Sequence, residues 1–213
     1  MADHIYTYVN PVRLKDIDTI CQALNGGKVL AVAMDVAWSF VCDAASPKAL
    51  DRIHQLKPAH PKTRPFSLVC DSIAMASHLV TIDNTVYPWL KKALPGPFTV
   101  LLERHASLPK QIHDKRREVG LRVPKCELVL ALVKAYGKPL AASTVPPILG
   151  AGGILELPRF GWEVAEAFGT RIDMIFDLGE ESPRLETTII DLTTGTPALV
   201  RSGAGEPVLF GLI

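Results

Sequence analysis

Lys28–Met34, KVLAVAM, is the segment that most limits what this chain can become. It is apolar along nearly its whole length, too short for a core helix, and closed in front by Asn25-Gly26-Gly27. A short apolar run between turn signals reads as a strand buried on both faces, which needs layers of structure above and below it. The preceding stretch supplies one layer, since Ile17, Ile20, Cys21 and Leu24 share a helical face after a start at Asn10-Pro11. Trp38–Cys42 follows as the partner strand.

The same alternation continues. Ser46-Pro47 opens a helix with Leu50, Ile53 and Leu56 as its apolar stripe. Phe66–Cys70 is a strand, Asp71 caps a short helix, and Asn84 caps another that ends at Pro95-Gly96-Pro97. Phe98–Leu102 and Val119–Val123 are strands, Glu127–Tyr136 is a helix closed by Gly137, and Leu140–Ser143 is a strand. A Gly-rich loop at Gly150–Gly153 precedes helix Trp162–Phe168 and strands Met174–Leu178, Thr187–Leu192 and Ala198–Arg201. Strands and helices alternate without a strict βαβ repeat, and several connections suit antiparallel pairing. The pattern predicts a mixed, twisted α/β sheet with helices packed on it. With no linker, low-complexity tract or repeat, residues 1–213 read as a single domain.

Composition narrows the function. Hydrophobic residues at 48% and charged residues at 21% are ordinary for a globular chain. No apolar run approaches the roughly 20 residues that span a bilayer. Met1-Ala2-Asp3-His4 lacks the layout of a signal peptide, so a cytoplasmic location is expected. Cys21, Cys42, Cys70 and Cys126 are widely spaced, which predicts reduced thiols rather than a disulfide framework or zinc site. The sequences G-x-x-x-x-G-K-[ST], G-x-S-x-G and H-E-x-x-H are absent.

Net charge is +1, but it is unevenly placed. Arg104, Lys110, Lys115, Arg116 and Arg117 face only Asp114 within their stretch, whereas nine acids from Glu156 to Asp191 face three arginines. Such a stretch serves either as a solvated loop or as a face for an anionic partner. Lys57-Pro-Ala-His-Pro-Lys-Thr-Arg-Pro65 holds three prolines in nine residues and cannot be regular structure. It reads as a rigid basic loop carrying Lys57, Lys62 and Arg64. Strand ends add Arg122, Ser143, Thr144 and Arg201, donors suited to phosphate or carboxylate. No acidic partner for Arg122 is evident nearby in sequence. Chemistry at these positions would work by positioning and by stabilising charge.

Five motifs in order then resemble a known family: Pro95-Gly-Pro-Phe-Thr99, Gly120-Leu-Arg-Val-Pro124, Pro139-Leu-Ala-Ala-Ser-Thr144, Thr187-Thr-Ile-Ile-Asp191 and Arg201-Ser-Gly-Ala-Gly205. Together they look like the YrdC-like family, which contains the threonylcarbamoyl-adenylate synthases and the YciO-like proteins. The resemblance implies a twisted α/β domain with a large basic cleft. It implies condensation of ATP, L-threonine and bicarbonate into threonylcarbamoyl-AMP and pyrophosphate, for tRNA adenosine modification, with Mg2+ on the ATP. It also implies binding of tRNA or double-stranded RNA. Carried over by position, Arg122 meets the threonine carboxylate and Thr187 lies near the threonine. Arg201, Ser143 and Thr144 serve the nucleotide, as do Lys57, Lys62 and Arg64.

The chain departs from the synthases where their P-T-D-T-V-Y-G-L becomes Ala33-Met-Asp-Val-Ala-Trp-Ser-Phe40, leaving only Asp35. Val36 replaces a threonine, Ala59 the arginine of K-x-R, and Pro146 the asparagine of T-S-A-N. These departures bring the chain closer to the YciO-like branch. Two readings follow: a nucleotidyltransferase-type synthase, weakened, or a nucleotide- or RNA-binding module without catalysis.

Overall fold

The computed structural model describes residues 1–7, 13–57, 66–106, 108, 116–150 and 152–212. The first half of the chain forms β1 (Asp3–Tyr6), α1 (Leu14–Asn25), β2 (Leu30–Ala33), β3 (Trp38–Asp43), α2 (Pro47–Leu56), β4 (Ser67–Val69), α3 (Ile73–Ser77), α4 (Tyr87–Ala93) and β5 (Phe98–Glu103). The second half adds β6 (Glu118–Arg122), α5 (Glu127–Tyr136), β7 (Leu140–Thr144), a hairpin β8 (Ile148–Leu149) and β9 (Leu155–Glu156), and α6 (Gly161–Phe168). Strands β10 (Met174–Asp177), β11 (Thr188–Asp191) and β12 (Ala198–Arg201) and a 3₁₀ turn at Pro207–Phe210 complete the elements of the described residues.

Ten strands make one mixed sheet in the order β1-β10-β2-β3-β7-β4-β6-β5-β11-β12. The pairs β1–β10, β10–β2, β4–β6 and β5–β11 are parallel. The others are antiparallel. The expected mixed, twisted sheet with packed helices is the architecture found.

Strand side chains alternate between two faces, and the two faces are covered unequally. On one, Ala31, Phe40, Leu68, Val100, Leu121 and Ile190 pack against Leu50 and Ile53 of α2, Leu90 of α4 and Phe168 of α6. That layer runs across most of the sheet. On the other, Leu30, Val32, Val41, Leu140 and Phe176 meet α1 (Ile17, Ile20, Leu24) and α5 (Leu128, Leu132, Val133), with Met75 of α3 at the margin. Those two helices pack on each other over one half of the sheet. Among the described residues, no helix of that cluster lies over the half built from β6, β5 and β11.

Local signals explain most element ends. Ser46 Oγ accepts from the Ala49 amide at 3.4 Å, with Pro47 in the first turn of α2. Gly137, at φ 72°, closes α5 in a left-handed conformation that costs glycine little. Two cap assignments are corrected. Ser72, not Asp71, caps α3, its Oγ accepting from Met75 N at 3.1 Å while Asp71 accepts from the Ser72 hydroxyl. Ahead of α4, Asp83 rather than Asn84 accepts from the Thr85 and Val86 amides. These three hydrogen bonds, counting the Thr85 hydroxyl, hold the Asp83 carboxyl below its usual range.

Two elements escape the sequence pattern. Strand β1 is an edge strand with too few apolar residues to show period 2. The Gly-rich segment proves to be the turn of the β8–β9 hairpin rather than a plain loop. The expected helix start at Asn10-Pro11 lies outside the described residues; α1 itself begins at Leu14, after Arg13.

Candidate functional site

Over that half-face the described residues leave a cleft of about 330 Å³. Its floor follows the two-residue period of the strands: Ser39 of β3, Ala142 and Thr144 of β7, Ser67 of β4, Gly120 and Arg122 of β6, Thr99 and Leu101 of β5, and Ile189 of β11. Small and hydroxyl-bearing side chains there leave the hollow. A Cβ on Gly120 would come within 3.2 Å of Thr99 Cγ2 and 3.4 Å of Ser67 Oγ, so a side chain at this point would crowd the floor.

The structure brings six of the expected residues into this one cleft: Lys57, Arg122, Ser143, Thr144, Thr187 and Arg201. They lie along a sheet face, not only at strand ends as the sequence suggested. Lys62 and Arg64 lie outside the described residues. Ser39, Ser67, Thr99, Gly120 and Arg116 are cleft residues that the sequence reading did not assign to the site. Their available signal was small or polar residues recurring on one face of successive strands.

Most of these residues are held by named partners. Lys57 ends α2, and its Nζ donates to Ser143 Oγ at 2.7 Å and to the Thr144 carbonyl at 2.6 Å. Register places Ser143 opposite Phe40 and Thr144 opposite Ser39. Thr187 and Thr99 share a hydroxyl–hydroxyl bond of 2.8 Å across the β5–β11 pair. Arg201 donates through Nη2 to the Thr187 carbonyl at 2.8 Å and through Nη1 to Glu186 Oε1 at 3.1 Å.

The glycines after Arg201 have packing roles. A Cβ on Gly205 would strike the Phe98 ring, and one on Gly203 would strike the Thr187 backbone. Thr188 Oγ1 adds a bond to the Gly205 carbonyl at 2.6 Å. The Arg201–Gly205 motif therefore locks β12's exit against the Thr187 wall.

Arg122 is 4% exposed. The missing acidic partner is Asp35, 87 residues away in sequence: Arg122 Nη2 donates to Asp35 Oδ1 at 2.7 Å. The other Asp35 oxygen accepts from Lys125 N at 3.0 Å. Arg122 Nη1 faces the Met34 sulfur at 3.7 Å, and Nε meets no hydrogen-bond partner among the described residues. Burial pulls the guanidinium below its ordinary pKa, Asp35 opposes that pull, and nearby Arg201 adds to it. An arginine stays charged even so.

Charged lining residues are Lys57, Arg116, Arg122 and Arg201 against Glu186. Magnesium is usually held by one or two carboxylates together with substrate phosphates. Glu186 is engaged by Arg201, and the described residues hold no group of three or more His, Cys, Asp or Glu placed for a metal. This donor set does not fit a protein-held magnesium ion.

The fold and cleft define an α/β protein with a sheet-face hollow ringed by arginine, lysine and hydroxyls, and comparison with known proteins gives its family. The chain belongs to the Sua5/YciO/YrdC family, described as "Telomere recombination", which matches residues 22–203. Its fold superposes on the crystal structure of Escherichia coli YciO with a TM-score of 0.87 at 25% identity, covering 99% of this chain and 100% of that one. Pyrococcus abyssi Sua5 complexed with L-threonine superposes at a TM-score of 0.81 and 25% identity, covering 95% of this chain and 57% of that one. A Marinobacter nauticus protein named threonylcarbamoyl-AMP synthase is 30% identical over 176 residues, 82% of this chain and 90% of its own. Among the described residues, no helix is long and apolar enough to cross a membrane.

Proposed function

We propose that the cleft binds L-threonine and ATP and that the chain is a threonylcarbamoyl-AMP synthase of reduced activity. The observation that carries this reading is Arg122, a nearly buried cation in the cleft lining, beside Arg201 and Thr187. A carboxylate is the ligand a planar guanidinium in such a site recognises best. The threonine complex of the Pyrococcus abyssi relative supports the amino-acid half.

Lys57, Ser143, Thr144 and Arg201 form the phosphate side, with Lys62 and Arg64 as further candidates. The reaction joins bicarbonate to the threonine amine as a carbamate with loss of water, and a carbamate oxygen then attacks the α-phosphorus of ATP, taking the adenylyl group while pyrophosphate leaves. Such chemistry needs alignment and charge stabilisation, which a pre-formed cleft of cations and hydroxyls supplies. Magnesium would travel with the ATP phosphates. The product would serve tRNA adenosine modification. Reduced activity follows from Val36, which is buried and offers no side-chain donor. One lost polar contact costs about 1–3 kcal/mol, or roughly ten- to hundredfold in binding.

The test is pyrophosphate release with ATP, L-threonine, bicarbonate and magnesium. Release above an Arg201→Ala control is expected, and none above it overturns the synthase. Val36 and Pro146 favour a second reading, a nucleotide- or RNA-binding module without turnover. Its signature is tRNA or duplex-RNA binding that weakens steeply with salt, because phosphate contacts release counterions.

A further inference from the structure

Asp35 is the one residue of Ala33–Phe40 that matches the synthase motif, yet it is not among the cleft-lining residues. Its position explains why it remains. Asp35 sits in the turn between β2 and β3, and its carboxylate is clamped at both oxygens, by Arg122 Nη2 at 2.7 Å and by Lys125 N at 3.0 Å. Both side chains are buried, at 6% and 5% exposure. One carboxylate thus ties three parts of the fold together: the β2–β3 turn, the end of β6 and the turn into α5.

We infer that Asp35 is the positioning residue of the amino-acid subsite, holding Arg122 in the cleft lining so that its guanidinium meets the substrate carboxylate in a fixed orientation. This rests on the reading of Arg122 as the carboxylate receptor. An arginine carries five N–H groups in a rigid fork. Asp35 engages Nη2 alone of the three guanidinium nitrogens, so the fork is fixed from behind without being consumed. Burial works against the charged guanidinium, and Asp35 is the group that offsets it most. Without that carboxylate the fork has, among the described residues, the Met34 sulfur alone, a weak acceptor, to orient it.

A second role for the pair makes the opposite prediction. If Asp35 only diluted the positive charge of the cleft, removing it would strengthen attraction for anions. Positioning predicts weaker binding of the carboxylate ligand and little change for the nucleotide, whose side of the cleft is built by Lys57, Ser143 and Thr144. The sign of the effect therefore separates the two.

The experiment uses the full chain and the variant Asp35→Asn, with folding checked by thermal melting. Calorimetry with L-threonine, in the presence of a non-hydrolysable ATP analogue, should show the threonine dissociation constant rising at least tenfold. The constant for the analogue alone should stay within about twofold. Unchanged or tighter threonine binding by folded Asp35→Asn overturns the inference. If that variant does not fold, Asp35→Glu carries the same test, since it keeps the charge but moves it by one methylene. A ligand-free arm uses ¹⁵N-labelled arginine: the Arg122 Nε–H resonance, assigned by its loss in Arg122→Lys, should be sharp in the parent and broadened in the Asp35 variant. A wild-type chain that binds no L-threonine defeats the proposed substrate instead. The resonance then decides positioning alone, and an unbroadened signal overturns it.

Discussion

Two arginines of the cleft illustrate how differently one residue type behaves at different burial. Arg201 keeps about a third of its side chain exposed in its pair with Glu186. Arg201→Ala is therefore expected to cost at most about 1 kcal/mol of stability, while weakening binding of an ATP analogue by tenfold or more in calorimetry. Arg122→Ala strands Asp35 as a buried, unpaired carboxylate. About 3–5 kcal/mol of destabilisation is expected in denaturant titration. Burial also pushes the Cys42 and Cys70 thiols up to about 12, with the neighbouring Asp43 and Asp71 adding to the effect. A thiol whose native pKa lies above its unfolded value contributes stability that is complete below the unfolded pKa, near 8.5–9, and is lost as pH rises toward 12. The chain should therefore lose stability between about pH 9 and 12. The double substitution Cys42→Ala, Cys70→Ala should flatten that decline, measured by denaturant midpoints at each pH. All four cysteines are free, and alkylation of the native chain at pH 8 should leave Cys42 and Cys70 unmodified.

At the scale of the elements, the sequence was most legible where a local signal has no rival. Ser46-Pro47, Gly137 and the aliphatic stripes of α1, α2 and α5 identify their helices from residues only three or four apart. Ser72→Ala should cost about 1 kcal/mol by thermal denaturation, the ordinary worth of an N-cap oxygen. Asp71→Ala should cost less, because its carboxylate accepts from Ser72 rather than from the helix amides. Choosing between such adjacent caps takes backbone geometry, which composition does not contain. The short β1 and the β8–β9 hairpin were illegible for a related reason. Each is defined by its pairing partner, Met174–Asp177 for β1 and the facing arm for β8, rather than by its own hydrophobic pattern.

At the scale of the whole molecule, the chain's last residues close the structure. Phe210 is 1% exposed and meets Phe98 edge-on at 5.2 Å, while Trp89 lies alongside at 6.3 Å. It joins the 3₁₀ turn to α4 and β5, next to the Gly205–Phe98 contact that seats β12. Phe210→Ala should destabilise the chain by about 3–5 kcal/mol in chemical denaturation and loosen the Arg201 wall of the cleft with it. Sheet order makes this coupling unavoidable. Strand β10 lies between β1 and β2, and β11 lies beside β5, so both late strands complete pairings begun by early ones.

The sequence by itself determined the α/β class, most strands and helices, the family and six residues that share the cleft. Those properties rest on short-range periodicity, turn residues and ordered motifs, all written locally. Only the tertiary structure decided that the cleft lies on a half-covered sheet face. The same is true of its floor of Ser39, Ser67, Thr99 and Gly120, and of the partnership between Arg122 and Asp35. Each depends on which distant strands become neighbours, and strand order is set by the packing of the whole sheet rather than by any one segment.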